Sequence, residues 1–113
     1  MPEQPTIPGI DPDDEALAAR FEQFHQDNPH VYTILVRLAR EWIRRTGRHK
    51  VGIAILWERM RWELAVETSE EAPALNNDYK AFFARLMMRD EPDLAELFDL
   101  RRSVADEWLE RAA

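Results

Sequence analysis

The sequence predicts an all-α fold, a single compact domain of five or six helices. Three observations carry this expectation. Apolar residues recur three and four positions apart over most of the chain, the mark of one-sided helices. Two Asx-Pro pairs, Asp11-Pro12 and Asn28-Pro29, stand where helices should begin. There is no internal repeat and no hairpin dipeptide such as Asn-Gly. The 113 residues suit one domain able to bury a modest core.

Residues 1–10 hold three of the seven prolines without periodicity and read as a flexible arm; the helical domain then spans 11–113. The first helix starts with Asp11 as N-cap and Pro12 as first helical residue. Asp13, Asp14 and Glu15 follow at the positive end of the helix dipole. Leu17, Phe21 and Phe24 share its inner face, and the helix ends between His25 and Asp27. The second helix starts at Asn28-Pro29 and carries the clearest stripe in the chain: Val31, Ile34, Leu35, Leu38, Trp42 and Ile43. Thr46-Gly47 stops it, with Gly47 in the left-handed position after the helix.

The third helix runs from about Val51 to Glu67 on Ile53, Leu56, Trp57, Met60 and Leu64. A strand over Val51–Trp57 is the rival, but the helical spacing continues through Met60 and Leu64. Ala54, Ile55, Trp62 and Val66 widen the apolar surface, so this helix is expected at the centre of the fold. Residues 68–75 form a loop, and Asn76 or Asn77 caps the fourth helix, with Tyr79, Phe82, Phe83, Leu86 and Met87 inward. Glu91-Pro92 stops it. The remaining stretch carries Leu94, Leu97, Phe98, Ala105 and Trp108, and Ser103 with Asp106 forms a capping box that would split it into two short helices.

Composition excludes several chemistries. Without cysteine there are no disulfides, thiolate metal sites or cysteine nucleophiles. No G-x-S-x-G elbow is present, and three glycines leave no Gly-rich phosphate loop, so no enzyme and no cofactor is expected. His25, Asp27 and His30 straddle a helix junction and are expected to diverge rather than hold a metal. The N-terminus lacks the basic and apolar regions of a signal peptide, and the longest apolar run, Val51–Trp57, is far short of a membrane span. A cytoplasmic protein with no membrane contact is the expectation.

The net charge of −7 argues against a protein that coats nucleic acid non-specifically. It hides a pattern of −6 over residues 1–30, +5 over 31–64 and −6 over 65–113. Seven of the eight basic residues in the middle segment are Arg, which contacts phosphate or carboxylate through two parallel hydrogen bonds. Arg37, Arg40, Arg44 and Arg48 fall within about 80° on a helix, and Lys50 follows in the turn. Three uses of this face are open: a solvated surface, internal pairing with the acidic flanks, or binding of an anion such as DNA phosphate. Asn76, Asn77, Tyr79 and Lys80 cluster at a helix start, where free backbone N–H groups and Asn side chains suit phosphate and adenine. Capping, with Tyr79 in the core, is the competing use. Trp62 lies off the main stripe of its helix and is expected at the surface. Four tryptophans in so short a chain leave room for a homodimer interface.

The segments around Asn28-Pro29-His30, Arg61-Trp62 and Asn76-Asn77-Asp78-Tyr79 resemble a group of small uncharacterised proteins of bacteria and their phages, over most of residues 21–102. The resemblance implies a phage or prophage setting, where small helical proteins regulate DNA or subvert a host protein. The acidic run from Glu67 to Glu71 departs from it, placing negative charge just ahead of the fourth helix. Two functions follow. The first is a DNA-binding protein, as a helix-turn-helix variant with the fourth helix for recognition and the Arg face on phosphates. The alternative is a non-enzymatic interaction module that binds or inhibits a basic host protein through its acidic flanks.

Overall fold

The computed structural model describes residues 12–67 and 74–112. The fold is all-α: α1 (Pro12–Asp27), α2 (Pro29–Thr46), α3 (Ile53–Glu67), α4 (Tyr79–Asp90), a 3₁₀ turn (Pro92–Leu94) and α5 (Val104–Ala112). Three expectations, the arm at 1–10, the Asp11 cap and most of the loop at 68–75, lie outside the described residues.

Several helix ends form where the sequence puts them. Gly47 adopts φ 69°, the left-handed conformation that glycine enters without penalty, and its N–H donates to the Ile43 carbonyl. Glu91 turns extended because Pro92 follows, and the helix stops there. The capping box is present at α5: the Ser103 N–H donates to the Asp106 carboxylate at 2.8 Å, and Ser103 Oγ accepts the Ala105 N–H at 3.1 Å. It divides the C-terminal stretch into the 3₁₀ turn and α5.

Asn28 behaves differently from expectation. Its side chain does not cap α2; Nδ2 and the backbone N–H both donate to the Phe24 carbonyl, closing α1 instead. Pro29 needs no N–H partner, so α2 starts without that cap.

The expected central helix is also corrected. α4, not α3, runs through the middle: Phe82 to Met87 are six consecutive buried residues. α1 and α5 clasp it through aromatic contacts. The Phe21 ring stacks on Phe82 at 4.8 Å and meets Phe83 and Trp108 edge-on at 4.9 and 5.2 Å. α2 and α3 close the other side with Leu35, Trp57 and Met60. α3 therefore buries one apolar face and leaves the other in solvent.

One polar cluster lies inside. The Arg85 side chain is 4% exposed, and its guanidinium donates to both Asp106 oxygens at 3.0 and 3.1 Å. It also donates to the carbonyls of Ala81 and Arg101. The guanidinium holds the Asp106 carboxyl below the usual carboxylate range. This pair fixes α5 to α4 and was not visible in the sequence.

Candidate interaction surface

The basic residues singled out by their spacing do not form one free face. Arg37 pairs with the buried Glu63 of α3 and with Glu41 one turn on. Arg40 reaches Glu91 at 3.0 Å and Asp93 through two contacts of 2.9 and 3.0 Å. Lys50 pairs with Asp99 at 2.9 Å. The C-terminal acidic stretch thus folds back over one edge of α2. Arg48 leaves the helical face altogether, because α2 ends at Thr46 and Gly47 redirects the chain. Arg44 and Arg48 are exposed and form no ion pair with a described residue.

The cluster before α4 is engaged within the fold. Asn76 Oδ1 accepts the Asp78 N–H at 2.9 Å. Asn77 Oδ1 accepts both Trp57 Nε1 and an Arg61 N–H at 3.2 Å, tying the start of α4 to α3. Tyr79 is a core residue, packed on Phe24 at 5.0 Å. Lys80 is half-buried. A recognition helix needs a free face for the groove; α4 is wrapped on nearly all sides. The surface arginines and the Asn76 helix start do not merge into one stripe.

Beside Arg40, Tyr32 donates to Glu91 at 3.2 Å. Burial and the Glu91 charge push the Tyr32 hydroxyl well above its ordinary range. The hydrogen bonds to Asp93 and Glu91 raise Arg40, and Arg40 in turn holds the Asp93 carboxyl down. A groove of about 580 Å³ runs along this edge past Tyr32, Val36, Arg37 and Arg44. Arg37 and Arg40 are matched there by carboxylates, which leaves Arg44 as the lining cation without an ion pair among the described residues.

The most unusual surface lies on α3. Ile55, Trp62 and Val66 are 53%, 52% and 61% exposed, and no other large apolar residues are so exposed among the described residues. At 100° per residue they fall within about 40° of one another, a single stripe opposite the buried face. Arg59 lies on the same stripe, its guanidinium 4.4 Å from the centre of the Trp62 ring. Glu58 borders it and pairs at 3.7 Å with Arg61, which lies further round the helix and also donates to Asn77. Next to it a groove of about 380 Å³ between α2 and α3 exposes Trp42, Arg45 and Ile55. Sequence reading singled out Trp62 for the surface and counted Ile55 and Val66 only as widening the apolar surface of a helix expected at the centre of the fold. The signal was the two-sided apolar character of α3.

Among the described residues no three His, Asp or Glu side chains are placed to hold a metal. His25 sits against Phe21 and Phe83, whereas His30 is exposed and Asp27 accepts from Gln23. No helix among the described residues is long and apolar enough to cross a membrane. No family model, curated protein or solved structure matches the chain.

Proposed function

We propose that this chain is a non-enzymatic interaction domain that docks another polypeptide on the exposed face of α3. The observation that carries the reading is the stripe of Ile55, Trp62 and Val66, all more than half exposed on one helix face. Water-exposed apolar side chains gathered in one patch mark contact surfaces, and Trp and Arg are the residues that most often anchor them. The reading moves the contact from the acidic flanks, expected from charge, to the basic middle of the chain. It agrees with the implied phage setting, in which a small helical protein acts on a host protein.

The test is paired capture. The intact chain and an Ile55→Asp, Trp62→Asp, Val66→Asp variant are immobilised, and nuclease-treated extract is passed over both. A stoichiometric protein held by the first and lost from the second is expected. Equal retention by both would remove α3 as the docking face.

Duplex binding is the second reading, favoured by one observation: Arg44 and Arg48 are exposed without ion pairs to described residues. It predicts a low-salt gel shift that disappears on Arg44→Glu with Arg48→Glu. A chain that shifts no duplex or single strand at low salt rules it out.

A further inference from the structure

We infer that the groove between α2 and α3 is a binding site for a small apolar carboxylate, an alkanoate or an aryl carboxylate. The site is separate from the docking face and does not require a polypeptide on α3.

Shape and apolar character define the body of the ligand. The groove holds about 380 Å³, within the range of about 300–1,000 Å³ usual for small-ligand sites. Leu38 and Leu56, both almost fully buried, meet it from the core side. The half-buried Trp42 and the exposed Ile55 line it further out. The Trp42 indole is fixed in place, because Nε1 donates to the Lys50 carbonyl at 3.1 Å. Ile55 leaves 53% of its surface in water beside this groove, and an apolar ligand body would cover it. Between Leu38 and Arg45 the groove follows α2 for about 10 Å, room for an alkyl chain or an aromatic ring laid along the helix.

Charge defines the head group. Arg45 of α2 and Arg59 of α3 both line the groove. With Arg37 they make three guanidiniums served by two carboxylates, Glu41 and Glu63. Glu41 is shared between Arg37 at 3.6 Å and Arg45 at 3.1 Å. Glu63 takes its close contact from Arg37, and Arg59 stands off from it at 3.7 Å, beyond hydrogen-bond reach. A guanidinium has five N–H donors, and Glu41 accepts from one terminal nitrogen of Arg45. The groove thus offers donors from both helices and one positive charge beyond its carboxylates. A single carboxylate on an apolar body meets both conditions. A cation would face three guanidiniums, and inorganic phosphate would leave Trp42 and Ile55 in water.

The probe is decanoate, set against decanol and decylammonium of the same chain length. Binding to the full chain is read at the Trp42 indole N–H signal by NMR, identified as the one missing from Trp42→Phe. Decanoate should shift this signal saturably, with a dissociation constant of about 1 mM or lower. Decanol should bind about tenfold more weakly. Arg45→Gln with Arg59→Gln should erase that preference and leave thermal unfolding unchanged, since both side chains are more than half exposed. Ile55→Glu should abolish binding. Equal affinity for decanol, or tighter binding of decylammonium, overturns the carboxylate as head group. No saturable shift with decanoate, or one that survives Ile55→Glu, overturns the site.

Discussion

Removing the Asp106 carboxylate is the sharpest test of how the fold is held. Asp106 does two things. It accepts both hydrogen bonds from the almost fully buried Arg85, and it caps α5 through the Ser103 N–H. Asp106→Ala leaves a guanidinium with only the Ala81 and Arg101 carbonyls and no counter-charge. Stranding a buried charge costs about 3–5 kcal/mol, and loss of an N-terminal cap about 1 kcal/mol more. Asp106 is itself 28% exposed on its side chain, so water can move in and relieve part of this. The expected loss is about 3 kcal/mol, a large share of the roughly 5–15 kcal/mol typical of a domain. Arg85→Met should cost less, about 1–2 kcal/mol, because the remaining carboxylate is partly exposed to water and still caps α5. Urea unfolding of both variants at pH 7 gives the comparison. The sign of the pH dependence follows from Arg85 holding the Asp106 carboxyl low. Its stabilisation is complete well above the ordinary value of 3.8 and fades as pH falls through and below it, so the gap between wild type and Asp106→Ala should close in acid. A loss under about 0.5 kcal/mol for Asp106→Ala, or a larger loss for Arg85→Met, would refute the reasoning.

Three further outcomes are expected. Phe21 is fully buried at the meeting point of α1, α4 and α5, so Phe21→Ala should cost about 3–5 kcal/mol in denaturant unfolding. His25 is packed among Phe21, Tyr32 and Phe83 with Nδ1 unpartnered, and burial lowers its pKa. The folded state therefore favours the neutral ring, and stability should fall as pH drops below the ordinary value of 6.5; His25→Gln should flatten that slope between pH 7 and 5. Arg40→Ala breaks contacts that are half in water, so its cost should stay below about 1 kcal/mol and shrink further in salt.

Most of the fold was legible because its boundaries are set locally. Pro12, Pro29, Gly47, Glu91-Pro92 and the Ser103–Asp106 box act within a turn of their own position, and each does so here. What was missed depends on partners far along the chain. α3 is apolar on two faces and α4 carries Lys80, Arg85 and Arg89, so composition favoured α3 for the centre. Arg85 is buried because Asp106, 21 positions away, meets it. Glu63 is buried because Arg37 and Arg59 approach it. The Arg face failed as a unit for the same reason. Periodicity placed Arg37 and Arg40 on one side of α2, but only the return of residues 91–99 decided what they touch.

The net charge of −7 takes a different meaning once the acids are located. Glu91, Asp93 and Asp99 neutralise the α2 edge, so the arginines nearest them are poor anion ligands. Near the α3 stripe Arg45, Arg59 and Arg61 likewise each have a carboxylate close by, Glu41, Glu63 and Glu58. A partner docked on the stripe therefore meets an apolar centre and a ring of mostly paired charges, and the two respond to salt in different ways. Salt screens exposed charges beyond about 8 Å at physiological strength and leaves apolar burial intact. Docking carried by the apolar stripe of α3 should therefore hold or tighten as salt rises. A duplex or an acidic partner on the same residues would weaken, because its attraction is what the salt removes. The direction of one salt titration thus separates an apolar contact from an electrostatic one, which the charge count by itself never could.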